Sequence, residues 1–349
     1  MTTAASELAS SWSERLGEAG YRASHAGLAI GLGVTLRGLM RAFTPEEIRP
    51  PDPKAGKALV ERFRALLDRD LENVRRGFYP RELLFQFPYL TYLRRFPENV
   101  MEFPRIASRK HRAGYKELPE GVDLSQYPKY YTRNFHWQTD GWFSRRSARM
   151  YDLQVEMLFV GTADIMRRMS IPPVVEATRH LSSPRILDLG SGTGRFLLQL
   201  SRALPQARIT GLDLSPFYLK EAAETLATQP HVALVAENAE ATPFREEAFD
   251  CVTSVFLLHE VPRSTRRTIA REAFRLLPSR GCFVVNDSAQ LQDSEDLKAA
   301  LEGFASTYHE PYYRDYTKDP VEGVLAEAGF EIASSETHSV SKVVVGRKP

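Results

Sequence analysis

The stretch ILDLGSGTGRF, residues 186–196, decides how the rest of the chain is read. An apolar run ends at Asp188, glycines follow at 190, 192 and 194, and a helical pattern begins at Arg195. Glycines at a strand-to-helix turn let backbone N–H groups come close to a ligand, and the helix start favours a negative group. A dinucleotide fingerprint, G-x-G-x-x-G, needs its third glycine one residue later, and a Gly-Lys-Ser/Thr ending for nucleotide triphosphates is absent. Outward from this loop, short apolar runs alternate with helical patterns. RILDL (185–189), ARITGLDL (207–214), HVALVA (231–236), FDCVTSVF (249–256) and CFVVND (282–287) read as strands. Helical patterns fall at 195–204, 217–227, 264–277 and 320–328. Such alternation predicts right-handed crossovers and a doubly wound α/β sheet, mostly parallel. FEIASSE and SVSKVVVG then stand back to back, predicting a closing hairpin with one antiparallel strand near the C-terminus.

The glycine loop resembles motif I of the class I S-adenosylmethionine (SAM) dependent methyltransferases, an acidic residue followed by G-x-G-x-G. Asp213, closing the second strand in GLDLSP, matches that family's acidic residue for the ribose hydroxyls. ENAEATPF (237–244) looks like its segment D-A-x-x-L-P-F, with Asn238 and Ala239 at the places that meet adenine. FDCVTSVFLLHEVP is similar to the fourth strand and its loop, and RLLPSRGCFVV to the L-x-P-G-G turn, where Ser279 and Arg280 depart from the pattern. The resemblance runs from about 183 to 345, roughly half the chain. It implies a Rossmann-like SAM-binding domain over 181–349, of the methyltransferase type 11/25 kind. Its cofactor site would hold Asp188, Gly190, Ser191, Gly192, Gly194, Asp213, Leu214, Asn238, Ala239 and Phe256. It implies methyl transfer to a small molecule. The same motifs serve enzymes that attack SAM elsewhere on its methionine chain, such as cyclases, and non-catalytic SAM binders, because they read the cofactor and not the reaction.

Residues 1–180 read as a mostly helical lid and specificity region. Residues 57–77 and 145–169 carry apolar side chains at helical spacing, with proline-punctuated segments between them. TPEEIRPPDPKAGK (44–57) reads as an exposed loop because of its prolines. Lys plus Arg number 46 against 44 Asp plus Glu, without a concentrated basic field, which argues against a nucleic-acid partner. AGLAIGLGVTL (26–36) is too short to span a bilayer and follows no basic leader, so the reading is cytoplasmic with no membrane partner. The apolar 26–43 segment offers a face for its own core or for a homodimer. Cys251 and Cys282 fall in strand-like runs, as buried reduced thiols, and no metal site is expected.

Methyl transfer needs an acceptor held in line with the sulfonium, and a base only where the acceptor loses a proton of high pKa. His259, in the loop after the fourth strand, is the candidate base with Glu260 orienting it; packing is the other reading. Asp287 is either a second polar group there or a cap. STYHEPYYRDY (306–316) offers His309, Glu310, Tyr312 and Tyr313 as an acceptor wall or a surface loop. YYTRNFHWQTDGWF (130–143) packs seven rings, counting His136, into 14 residues. Tyr131 and Phe135 are candidates to face the sulfonium through cation–π contacts. Asn134, His136 and Gln138 are candidates for the acceptor or the methionine end. The alternative is that these rings fill the seam between two domains.

Overall fold

The computed structural model describes residues 2–45 and 52–349. Six helices lead the chain: α1 (Thr2–Phe43), α2 (Pro53–Arg75), α3 (Tyr89–His111), α4 (Arg145–Leu158), α5 (Ala163–Arg168) and α6 (Ile171–Thr178). The alternating part follows as β1 (Arg185–Leu189), α7 (Arg195–Ala203), β2 (Arg208–Asp213), α8 (Pro216–Thr225), β3 (Val232–Ala236), β4 (Cys251–Val255), α9 (Arg263–Leu276) and β5 (Cys282–Ser288). Then come α10 (Lys298–Tyr308), α11 (Tyr313–Tyr316), α12 (Val321–Glu327), β6 (Glu331–His338) and β7 (Ser341–Arg347).

The seven strands form one sheet in the order β3-β2-β1-β4-β5-β7-β6. Five run parallel, and β7 enters antiparallel between β5 and β6. Continuous apolar runs make β1 and β4 buried on both faces; Ile186, Leu187, Leu189, Cys251 and Val252 are wholly inaccessible. Both cysteines are free and buried, opposite one another on β4 and β5. The strand order reverses between β1 and β4, so a crevice opens beyond their carboxyl ends.

Several local expectations shift. The helix expected over 145–169 breaks into α4 and α5, because Val160 and Gly161 adopt left-handed φ of 47° and 81°. A side chain at 161 would strike Leu28 of α1 at 2.7 Å, so close helix approach as well as the turn calls for glycine there. The Glu156 carboxylate caps the start of α5, accepting from the backbone N–H groups of Asp164 (3.0 Å) and Ala163 (3.3 Å). α3 runs through Pro97 and Pro104, inside the proline-punctuated segment. The loop expected over 44–57 ends early: Asp52 accepts from the Lys54 N–H at 2.9 Å and α2 starts at Pro53; its residues 46–51 lie outside the described residues. Residues 16–43 of α1 are long and apolar enough by length and hydropathy to cross a membrane, more than the 26–36 run suggested. Its Leu32, Leu36 and Leu39 pack on a cluster with Tyr92, Leu153 and Met157, while Ile30 and Val34 are exposed.

The helical region is not a separate body. Leu66 and Leu71 of α2, Ile165 of α5 and Ile171 of α6 share one core with Ile186, Leu197 and Ile209 of the sheet and α7. At its edge Asp70 collects three buried donors: the hydroxyls of Tyr21 and Tyr79, each at 2.5 Å, and the Arg168 guanidinium through Nε at 2.9 Å. These ties join α1, α2, the 79 turn and α5. Asp70→Ala would leave the Arg168 charge buried and uncompensated, which costs about 3–5 kcal/mol. Chemical denaturation should show that loss; a loss under about 1 kcal/mol would mean water enters and replaces the carboxylate.

Candidate active site

The glycine loop is shaped by three left-handed glycines, Gly190, Gly192 and Gly194, at φ of 77°, 54° and 76°. The N–H groups of Gly190 and Ser191 both donate to Leu212 O, at 2.8 and 2.9 Å, tying the loop to the end of β2. The space beside Gly192 is open, since a Cβ there would meet nothing within 4 Å. Asp213 accepts from the N–H of Gly192 and of Ser215, each at 2.8 Å, which leaves lone pairs on both oxygens free. Burial pushes its carboxyl up to about 6. Asp188 lies beneath the loop, accepts from Thr253 Oγ1 at 2.7 Å, and is pushed by burial up to about 7. Ser191 Oγ is buried without a partner. Leu214 is half-buried beside Asp213, and Ala239 is buried. The Asn238 side-chain oxygen accepts from Glu240 N–H at 2.9 Å and shapes the turn. An open glycine cradle, an orphaned hydroxyl and a carboxylate with free lone pairs fit a ligand bearing a diol and an amino-acid end.

The aromatic loop, 130–143, crosses this crevice. Tyr130 donates to Glu240 Oε1 at 2.6 Å, beside Asn238. Tyr131 stacks on Tyr127 at 5.6 Å, and its hydroxyl lies near Asp213 and Ser215. That puts Tyr131, a candidate to face the sulfonium, beside Asp213 at the end of β2. Ser215 Oγ donates to Trp142 O at 2.6 Å, pinning the loop to the start of α8. His136 and Trp137 both take left-handed φ, 55° and 56°. Such residues cost about 1–3 kcal/mol each and persist only under outside constraint. Asn134 supplies part of it: wholly buried, it donates Nδ2 to the Gln138 carbonyl, while Gln138 Nε2 donates to Ser147 O at 2.7 Å. Asn134 Nδ2 is therefore turned into its own loop, while its Oδ1 is buried without a partner. Phe135 is buried against Trp142, Tyr151 and Tyr218, so it belongs to the seam.

The loop delivers His136 to a cluster of charged groups on the far side. His136 Nε2 lies 3.3 Å from Glu260 Oε1 and its Nδ1 3.5 Å from Glu310 Oε1. His259 Nδ1 donates to Asp287 Oδ1 at 2.5 Å, and its Nε2 lies 3.8 Å from Glu260 and 3.9 Å from Glu310. Asp287, not Glu260, thus orients His259; it also accepts from Leu258 N–H at 2.7 Å. Burial opposes charge on this imidazole, yet Asp287, Glu310 and Glu260 raise it to about 10, so it carries both protons at neutral pH. Burial pushes Glu310 up to about 7 against the pull of His259 and His136. Its Oε2 is buried with no hydrogen-bond partner. Among the described residues no group of three His, Cys, Asp or Glu is disposed to hold a metal ion.

This cluster ends a cavity of 520 Å³ whose wall includes Tyr151, Phe256, Ser288 and Tyr313. Phe256, at φ 57°, stacks on Phe159 with centroids 6.3 Å apart. His309 stacks on Tyr115 and Tyr312 lies under Arg133, so the 306–316 segment gives the cavity Thr307, Tyr308, Glu310 and Tyr313 but not His309 or Tyr312. Sequence reading weighed Asp287 as a cap and missed the Tyr130–Glu240 pair; 110 residues separate its members and no local pattern links them.

Residues 186–281 match the family model described as a methyltransferase domain. Over 149 residues the chain is 31% identical to malonyl-[acyl-carrier protein] O-methyltransferase of Geobacter sulfurreducens, covering 42% of this chain and 55% of that one. It is 33% identical to demethylmenaquinone methyltransferase of Thermotoga maritima over 40% of this chain and 57% of that one. It thus spans a little over half the length of these curated relatives. A solved O-methyltransferase family 2 protein from Planctomyces limnophilus is similar at TM-score 0.48 and 20% identity, covering 59% of this chain and 62% of that one. Residues 186–281 are thus similar to a methyltransferase domain, a likeness that carries SAM as the cofactor. Asp213→Ala removes the free carboxylate lone pairs beside the open glycine cradle, and hydrogen bonds to a charged group are worth about 1.5–3 kcal/mol. Calorimetry should therefore find SAM binding weakened about tenfold or more. Unchanged affinity would move the diol-binding role elsewhere.

Proposed function

We propose that this chain transfers the methyl group of SAM to a hydroxyl oxygen of an apolar small molecule, with Glu310 taking the proton. One observation carries the reading: a buried carboxylate oxygen without a partner, in a mostly apolar cavity whose wall includes Phe256, a candidate cofactor residue. Buried acceptors are satisfied in native proteins, and an acceptor hydroxyl would supply the missing donor. The cofactor would rest on Gly190, Ser191, Gly192 and Gly194, with Asp213 at its ribose and Asn238 and Ala239 at its adenine. When bound, SAM supplies an electrophilic methyl on a sulfonium.

The chain's own residues do the rest. The loop 130–143 and α4 cover the crevice and keep water from the reacting atoms. His259, charged and fixed by Asp287, presents Nε2–H where negative charge grows on the acceptor oxygen and favours its ionised form. Glu310, near pKa 7, receives the hydroxyl proton at Oε2. His136 lies beside this pair, with Nε2 3.3 Å from Glu260 Oε1 and Nδ1 3.5 Å from Glu310 Oε1. The free, buried thiols of Cys251 and Cys282 support a reducing, cytoplasmic setting, with small-molecule metabolism as the role.

The roles give opposite pH limbs. Glu310 must be ionised, so kcat/KM rises as pH climbs through about 7; His259 must stay protonated, so kcat/KM falls as pH climbs through about 10. With catechols and simple phenols as acceptors, wild type should give S-adenosylhomocysteine and this bell-shaped profile. Glu310→Gln should lower kcat about a hundredfold or more and erase the acidic limb. A Glu310→Gln enzyme that keeps both kcat and that limb would remove the assignment. Methylthioadenosine as the product would overturn methyl transfer itself.

A further inference from the structure

We infer that the acceptor carries a long apolar chain, seated in a subsite that α1, α2, α3 and α10 build onto the catalytic cavity. The inference rests on the reading of that cavity as the acceptor site. Size is the first argument. The cavity holds 520 Å³, whereas a dry cavity of about 150 Å³ already accommodates a benzene ring. A ring that brings its hydroxyl to Glu310 would leave most of the volume empty, and an empty apolar cavity forfeits the contacts of its lining.

Polarity is the second argument. The charged lining, His136, His259, Glu260 and Glu310, comes from the aromatic loop, the turn after β4 and the segment before α11. The helices contribute apolar side chains: Leu36 and Met40 from α1, Leu59 from α2, Ile106 from α3, Leu301 and Phe304 from α10. Polar groups in this part of the wall are few, chiefly Gln154 of α4, Tyr308, and Thr307, whose hydroxyl already donates to Gly303 O at 3.1 Å, so a charged or hydroxylated tail would be largely uncompensated there. Lys110, also in the wall, is engaged with Thr307 O at 2.6 Å. A saturated or isoprenoid-like chain meets no such penalty. Leu59 is 42% exposed and lines the cavity as well, so the subsite reaches solvent beside α2, where a chain can enter.

The test is calorimetry of 4-alkylphenols with chains of one to eight carbons, on protein saturated with S-adenosylhomocysteine, so that no turnover is needed. Kd should fall up to about fourfold per added methylene until the subsite is full. Ile106→Trp and Leu301→Trp fill part of the subsite and should end that fall at a shorter chain. Their melting temperature and S-adenosylhomocysteine affinity check that each variant folds. A Kd independent of chain length overturns the inference, as does the same dependence in both variants. The two readings fail separately. Chain-dependent binding without methylated product would keep the subsite and remove the hydroxyl-transfer reading. Methylation of short phenols with no gain from the chain would do the reverse.

Discussion

Everything in the site hangs on one buried carboxylate, Asp164 at the start of α5. It accepts from Arg167 Nη1 at 2.9 Å and is paired with Arg195, the first residue of the helix after the glycine loop. Burial alone would raise its pKa, but Arg195 and Arg167 hold it down to about 2. One turn of chain away, Thr193 in the glycine loop donates to Asp152 of α4 at 2.7 Å. Two contacts thus clamp the α4–α5 corner onto the loop that cradles the cofactor. Burying such charges is expensive, and removing one partner of a buried pair costs about 3–5 kcal/mol. The gain is registration: no slide of α4 along the glycine loop keeps both contacts. Glu156, next in the same network, is pushed by burial and by Asp164 up to about 8, so it can carry a proton in a cluster that already holds two other carboxylates.

That clamp explains why the aromatic loop can serve two purposes. It ends where α4 begins, with Ser144 as the cap accepting from Ser147 N–H at 3.0 Å. With α4 fixed, Phe135 and Trp142 fill the seam against Tyr218, and the same few residues of chain bring His136 over the cavity. Wall and seam are successive side chains of one loop. The left-handed turn at His136 and Trp137 is what separates them, and the Asn134, Gln138 and Arg109 hydrogen bonds to that loop are what hold the turn.

Legibility in the sequence followed the range of the interaction. The glycine loop, Asp213 and the alternation of strands and helices are local patterns, and they gave the sheet and the cofactor crevice. The break between α4 and α5 was hidden because apolar spacing runs on through Val160 and Gly161; it depends on Leu28 of another helix crossing there. The partner of His259 was misread for a related reason. Glu260 adjoins it in sequence, but a residue in a tight turn after a strand points across to the next strand end, where Asp287 stands, 28 residues away. Adjacency suggested one carboxylate, and parallel-strand pairing supplied another. Asn134 adds a role the sequence did not show, since its side-chain amide donates to the Gln138 carbonyl and holds the strained turn.

The cluster at the cavity end makes physical sense only as a balanced set. Five ionisable groups, His136, His259, Glu260, Asp287 and Glu310, meet within 4 Å contacts of one another in a site largely closed to water. Burial disfavours charge on Glu310, and the neighbouring Glu260 and Asp287 add to that against the pull of His259 and His136. The cost falls on Glu310, whose Oε2 lacks a hydrogen-bond donor, and its pKa rises accordingly. A neutral hydroxyl entering beside it relieves the missing hydrogen bond without adding charge. A carboxylate-bearing acceptor would bring a further negative charge into this buried site. On the proposed reading, the same electrostatics that would prepare Glu310 to take a proton would select against anionic acceptors, and the apolar helices around the rest of the cavity against polar ones.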